Sequence, residues 1–351
     1  MNRFYSIALV TAFTVVTISP QALAGFRSLI LSEQSANVPC PSTPRGMAAW
    51  ISSRNSKSVA RVTTRPIKGQ EAKRSQFAGT AFFFSENLLI TNYHVVKYTE
   101  GFAVVLEDGR EFEGVLEGYD ADSDLAVISI EGNDLPPGLV IANTVVLGEP
   151  VVGIGYPLGL QQSITQGIVS GINVDSSFVL ENRSVRLLQI DAPINPGNSG
   201  GPSFNCLGEV VGVNMAIHPS GQGIAWSISA EEIRRIIPVI AQGKKVPRGY
   251  LDVGLSMIPQ KRRETLRKLN VEPVGNAGVY VFNLNSEGHA AQQGLNTGDI
   301  ILSIAESEVK NPRQFLRFLA RRSPGERVRL SILRGTTTMD LEVILDQRPL
   351  Q

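Results

Sequence analysis

The chain has 351 residues, 33 Lys plus Arg against 32 Asp plus Glu, and a formal net charge of +1. Hydrophobic residues make up 42% and charged residues 19%, which excludes a disordered, collagenous or coiled-coil protein and leaves room for two domains of about 100–200 residues. Balanced charge argues against nucleic acid as a partner, and two Cys and three His far apart in sequence cannot build a Cys/His zinc cluster.

Residues 1–24 read as a signal peptide. Arg3 is followed by an apolar stretch, a polar break at Ser19-Pro20-Gln21, and Ala22-Leu23-Ala24, a small-x-small cleavage site before Gly25. The alternative, an uncleaved anchor, needs about 20 apolar residues, and this stretch is shorter and carries Ser6, Thr11, Thr14 and Thr17. The mature chain is then exported, with no stable membrane span. Residues 25–57 carry no readable motif; Trp50 alone hints at an oligomerisation arm. Export permits a disulfide between Cys40 and Cys206, which would tie this segment to the main domain, but two unpaired thiols fit the sequence equally.

Residues 58–242 read as short strands with Gly/Pro turns, the pattern of a barrel or sandwich. Residues 80–84, 88–91, 102–106, 125–130, 151–154 and 209–213 are β-rich runs, and Glu107-Asp108-Gly109 marks a hairpin. Ser229-Ala230-Glu231-Glu232 has the form of a capping box, with Ile233, Ile236, Ile237 and Ile240 at helical spacing behind it. Residues 243–249 read as a linker. Residues 250–348 are mixed, with strands near Val279 and Val328 and helices at 289–293 and 312–320. The basic run Lys261-Arg262-Arg263, with Arg267 and Lys268, reads as a solvated helix face.

Gly197-Asn198-Ser199-Gly200-Gly201-Pro202 places a serine between glycines that let backbone N–H groups converge on one point. On its own it is equally a Gly-rich turn. A serine nucleophile needs a base. His94 follows an apolar strand that can aim it, whereas His218 and His289 read as structural or exposed. Asp120, Asp122 and Asp124 precede a strand; Asp124 is adjacent to it and best placed to orient a histidine, while Asp120 and Asp122 are expected to solvate the turn. An α/β-hydrolase elbow is excluded, because a turn and strand follow Ser199 and both other members precede it.

The chain resembles the HtrA/Deg serine proteases over about residues 58–348. The resemblance rests on Thr91-Asn92-Tyr93-His94-Val95-Val96, Asp124-Leu125-Ala126-Val127, Gly155-Tyr156-Pro157-Leu158-Gly159 and Asp191 through Pro202. It implies a mainly β protein, a chymotrypsin-like double β-barrel followed by one small α+β PDZ domain. It further implies peptide hydrolysis through an acyl-enzyme, with His94 as general base, Asp124 as orienter and Ser199 as nucleophile. Gly197, Asn198 and Ser199 would supply the oxyanion hole, and no metal or cofactor is called for. A substrate pocket at Ile194, Ile224, Ala225 and Trp226 carries no acid, so small or medium apolar residues are expected before the cut. The PDZ carboxylate loop falls on Tyr250, Leu251, Asp252 and Val253, with Asp252 where the family has glycine, which puts capture of peptide carboxy-termini in doubt. By the same resemblance the protein is a periplasmic homotrimer acting on unfolded or misfolded polypeptides in stress and quality control. The alternative is a resting or regulatory peptide-binding or holdase protein whose triad assembles only on activation.

Overall fold

The structure, a computed structural model, describes residue 40 and residues 45–66, 77–174, 185–217, 223–269 and 278–348. The expected signal peptide and His218 lie outside the described residues. Among the described residues no helix is long and apolar enough to cross a membrane.

Two closed six-stranded barrels form the first unit. The first comprises β1 (Val59–Pro66), β2 (Phe77–Phe83), β3 (Leu88–Asn92), β4 (Thr99–Val105), β5 (Glu111–Asp120) and β6 (Leu125–Ile130), in the order β1-β2-β3-β6-β5-β4. The hairpin read at Asp108-Gly109 joins β4 to β5, with Val105 opposite Glu111 and Gly109 at φ 88°. The second comprises β7 (Pro150–Gly155), β8 (Ser163–Val174), β9 (Leu187–Ile190), β10 (Pro202–Phe204), β11 (Val210–Ile217) and β12 (Ala225–Ser229), in the order β10-β11-β12-β9-β8-β7. Closure leaves neither sheet an open edge.

The helix α1 (Met47–Asn55) lies on β7 and β8 of the second barrel and drives Ile51 fully into its core. Residues 47–55 therefore pack on their own chain, and Trp50 sits partly buried against the same core under the Arg54 guanidinium, 5.1 Å from the ring centroid. Cys40 and Cys206 are disulfide-bonded across a sequence separation of 166.

A one-turn helix, α2 (Tyr93–Val96), follows β3, and α3 (Ala230–Ile240) follows β12. Ile233, Ile236, Ile237 and Ile240 of α3 are fully buried, each burial contributing about 1.5–3 kcal/mol. Only half of the expected capping box forms. Ser229 accepts the Glu232 N–H, but the Glu232 carboxylate turns to the Arg186 N–H and the Arg235 guanidinium. The Ser229 N–H is already paired with the Arg186 carbonyl, so the carboxylate has no donor to return to.

The second unit is a small α+β domain. Its sheet runs β14 (Val253–Met257), β15 (Val279–Leu284), β16 (Ile300–Ile304), β18 (Arg327–Arg334), β19 (Thr337–Ile344), with β17 (Ser307–Glu308) on β16. A two-strand ribbon pairs β13 (Gly249–Tyr250) with β20 (Asp346–Gln347). Helices α4 (Gln260–Lys268), α5 (His289–Gln292) and α6 (Pro312–Ala320) complete it, and Phe315 and Leu319 of α6 enter the core. The linker is not a free tether: Val246 and Arg248 are buried, and Gly249 already belongs to β13.

Candidate active site

The register of the first barrel sets two of the three candidate residues side by side. Asn92 at the end of β3 pairs with Leu125 at the start of β6, so the residues just beyond them, Tyr93-His94 and Asp124, face each other. Asp124 has φ 60°, a left-handed conformation that aspartate tolerates, and its carbonyl accepts the Tyr93 N–H at 2.9 Å and Asn92 Nδ2 at 3.0 Å. Its carboxylate then meets His94 twice. Oδ1 accepts the His94 backbone N–H at 2.8 Å, and Oδ2 lies 2.6 Å from Nδ1. The Asp124 side chain is 3% exposed and that of His94 is 38% exposed. A buried carboxylate on Nδ1 fixes the tautomer in which Nε2 is the free base, and it stabilises the imidazolium that forms when Nε2 takes a proton.

Ser199 comes from the second barrel, on the turn before β10. Thr80 of β2 clamps that turn: its N–H donates to the Ser199 carbonyl at 2.8 Å and its hydroxyl to the Gly197 carbonyl at 2.7 Å. Thr80 Oγ1 also accepts the Tyr156 N–H at 3.0 Å, and the Thr80 carbonyl accepts the Thr91 hydroxyl at 2.8 Å. From the far side the Asn214 carbonyl accepts the Gly200 N–H at 2.8 Å. Gly200 has φ 86°, and a Cβ there would stand 2.1 Å from the Thr80 carbonyl oxygen, so only glycine fits.

The three oxyanion-hole candidates are not equivalent. The Asn198 N–H donates to the Asn195 carbonyl at 3.0 Å and is already spent. The Gly197 and Ser199 N–H groups donate no backbone hydrogen bond among the described residues. Gly197 has φ 101°, and a Cβ there would meet the Tyr156 carbonyl oxygen at 2.4 Å. The Gly155–Gly159 stretch thus backs the turn, and the Leu158 N–H also holds the Pro196 carbonyl at 2.8 Å. Such a pair of N–H groups beside a serine is what stabilises a tetrahedral oxyanion.

Ile194, Ala225 and Trp226 are buried in the apolar cluster of the second barrel, and Ile224 packs against it. The aromatic surface beside His94 is Tyr93 stacked on Tyr119, with centroids 4.1 Å apart and planes 4° from parallel. Burial, and then the Tyr119 hydroxyl, raise the Tyr93 hydroxyl above its ordinary pKa.

Asp120, expected to solvate the turn, is instead buried with the linker residue Arg248. The two side chains are 8% and 7% exposed and joined by Nη1–Oδ1 at 2.9 Å and Nη2–Oδ2 at 2.6 Å. Asp120 also accepts the Ser123 N–H at 2.9 Å, inside the turn that carries Asp124. Burial on its own raises the Asp120 pKa; the Arg248 hydrogen bonds and charge outweigh it and hold the carboxyl below the ordinary range. Asp122 is half-exposed and pairs with Arg348 at 2.9 Å.

In the second unit, β14 is an edge strand with α6 beside it, the layout that admits an added peptide strand. Of the carboxylate-loop candidates, Val253 spends its N–H on the Leu251 carbonyl at 2.9 Å. Tyr250 lies in β13, and its hydroxyl donates to Asp252 Oδ1 at 3.2 Å, while Asn285 Nδ2 donates to Oδ2 at 3.2 Å. His289 pairs with Asp346.

Two closed six-stranded barrels joined to a small α+β domain have the architecture of a trypsin-like peptidase domain followed by a PDZ domain. Comparison with known proteins agrees: the trypsin-like peptidase domain family matches residues 79–213 and the PDZ domain family residues 252–345. Protease Do-like 1 of Arabidopsis thaliana chloroplasts is 32% identical over 293 residues, covering 78% of this chain and 64% of that protein. A DegP-like protein of Halomonas elongata, named a probable periplasmic serine endoprotease, is 34% identical over 284 residues, covering 80% of this chain and 58% of that one. The chain thus spans less than two thirds of the length of these curated relatives. The solved structure of the HtrA-type protease AlgW with tripeptide superposes with a TM-score of 0.70 at 30% identity, covering 89% of this chain and 99% of that one. The chain belongs to the HtrA-type serine protease family.

Proposed function

We propose that the protein is an exported serine endopeptidase that hydrolyses unfolded polypeptides through an acyl-enzyme. The observation that carries this is the buried Asp124 carboxylate on His94 Nδ1, at the seam where the second barrel presents Ser199. His94 Nε2 takes the Ser199 proton as Oγ attacks the scissile carbonyl, and the carbonyl oxygen becomes an oxyanion held by the Gly197 and Ser199 N–H groups. The imidazolium returns its proton to the leaving amine. Water, activated by the same nitrogen, then releases the acyl group from Ser199. The apolar lining at Ile194, Ile224, Ala225 and Trp226 favours small or medium apolar residues before the cut. The PDZ domain docks peptide along β14. Export is supported by the signal-like first 24 residues and by the periplasmic name of a relative. Assembly as a homotrimer follows from the family resemblance.

A second reading is a resting form whose triad completes on activation. It is favoured by the Ser199 hydroxyl, which donates to the Met215 carbonyl at 3.0 Å. A hydroxyl has one proton, so while that bond stands Oγ does not donate to His94. Incubation with an unfolded, disulfide-free protein, with fragments read by mass spectrometry, tests both. Cleavage absent in Ser199→Ala, after apolar residues, supports the endopeptidase. Cleavage only after addition of a PDZ-binding peptide supports the resting form, and cleavage by Ser199→Ala sinks both.

A further inference from the structure

In the PDZ domain β14 pairs only with β15, so its outer side is open to an added strand, with α6 beside it. The loop that would cradle a peptide's terminal carboxylate is Leu251-Asp252-Val253, at the start of that strand. Two observations weigh against a carboxylate there. The Val253 N–H is spent on the Leu251 carbonyl at 2.9 Å, which leaves two of the three N–H groups. Asp252 brings a negative charge, and its single methylene keeps that charge close to its own N–H. The charge has no cation to neutralise it. The Tyr250 hydroxyl donates to Oδ1 and Asn285 Nδ2 to Oδ2, each at 3.2 Å, and both donors are neutral. Among the described residues Asp252 forms no ion pair: Arg348 is held by Asp122 at 2.9 Å, and His289 pairs with Asp346. Burial first, and then the Asp252 charge, raise the Tyr250 hydroxyl above its ordinary pKa, and the opposing pull of Arg348 does not offset them. The field at the loop is net negative.

We propose that the β14 edge takes an internal, extended segment of a polypeptide, with a Lys or Arg side chain beside Asp252, and rejects a free carboxy-terminal carboxylate. This rests on the reading that the PDZ domain docks peptide along β14. An internal segment supplies the main-chain hydrogen bonds of an added strand without an end charge. Its basic side chain gives Asp252 the cation that the fold withholds. Unfolded polypeptides offer such segments along their whole length, whereas each has a single carboxy-terminus.

The test is fluorescence polarisation on the full chain carrying Ser199→Ala, so that peptides stay intact. The probes are fluorescein-labelled decapeptide pools randomised among Val, Leu, Thr and Ser, identical except at the end: free carboxylate, carboxamide, or carboxamide with Lys or Glu as the last residue. The carboxamide pool should bind about fivefold or more tighter than the carboxylate pool. Lys at the end should tighten binding further, in a way that salt weakens, and Glu should weaken it. Asp252→Asn, which removes the charge and keeps an acceptor for Tyr250, should abolish these preferences. Asp252→Gly should make the carboxylate pool bind at least as well as the carboxamide pool. Glu342→Gln, on an exposed pair with Arg327, should change nothing. Circular dichroism checks each fold; if Asp252→Gly is perturbed, Asp252→Asn carries the comparison. Tighter binding of the carboxylate pool by the parent chain overturns the proposal and leaves peptide docking standing. A carboxamide preference that survives in both folded Asp252 variants overturns it too, because the discrimination then lies elsewhere. No binding of any pool overturns both the proposal and the docking reading.

Discussion

The buried Asp120–Arg248 pair is the point where the linker grips the active-site turn, and its removal has a calculable cost. Arg248→Met leaves a carboxylate that is 8% exposed without its cation. Breaking one side of such a pair costs about 3–5 kcal/mol, a large part of a domain's stability. Asp120→Asn with Arg248→Met removes both charges while Asn keeps an acceptor for the Ser123 N–H, so the double variant should recover to within about 1–2 kcal/mol of wild type. Trp226 lies in the second barrel and Trp50 on the helix packed against that barrel's core, so urea unfolding followed by fluorescence reads the protease unit directly. The turn also carries Asp124, and displacing it should lower kcat by up to about 100-fold. Acid gives an independent check. Because Arg248 holds the Asp120 carboxyl below its ordinary value, the pair's stabilisation is complete above the unfolded pKa of about 3.9 and is lost as pH falls through the lower folded value. Wild type should lose stability on acidification in that window, and the double variant should lose less. A single Arg248→Met variant within about 1 kcal/mol of wild type would refute the reasoning.

Three further outcomes follow from the geometry. Gly197→Ala places a Cβ 2.4 Å from the Tyr156 carbonyl oxygen and forces the turn to move, so kcat should fall by about 10²–10³ with the fold retained by circular dichroism. Cys206→Ser opens a disulfide spanning 166 residues and should cost about 2–5 kcal/mol in denaturant melts, an effect matched by reductant on wild type but not on the variant. Thr80→Val removes the hydroxyl bridging Gly197 and Tyr156 at constant volume; kcat should drop by about tenfold or more, with KM little changed, in steady-state assays on a peptide substrate.

Much of the molecule was legible because its signals are local. The run Leu125–Ile130 is apolar at every position but Ser129 and forms β6, buried throughout. Residues 312–320 read as helical and form α6, with Pro312 in its first turn. The short strands with Gly/Pro turns read as a barrel or sandwich, and the double barrel was implied by the family resemblance that the motifs around His94, Asp124 and Ser199 carry. What stayed hidden was non-local. The Asp120–Arg248 pair joins residues 128 apart, and an Asp in a polar turn carries no mark of a buried partner. Thr80 works through a hydroxyl and a backbone N–H inside an apolar strand, where a threonine passes for filler. Helix α1 has no side-chain cap bond at Gly46 and buries only Ile51 completely, so no apolar stripe shows in its sequence. The spent N–H of Asn198 depends on a turn whose shape no motif encodes.

The most direct measurement of the central claim is active-site labelling with a fluorophosphonate, an electrophile that phosphonylates an activated serine. Peptide mapping should place the adduct on Ser199 with loss of proteolysis, labelling should be slowed by about 10³-fold or more in His94→Ala, and folded Asp124→Asn should also be slow. Adduct on another serine with proteolysis abolished, or unchanged proteolysis in Ser199→Ala, would contradict it.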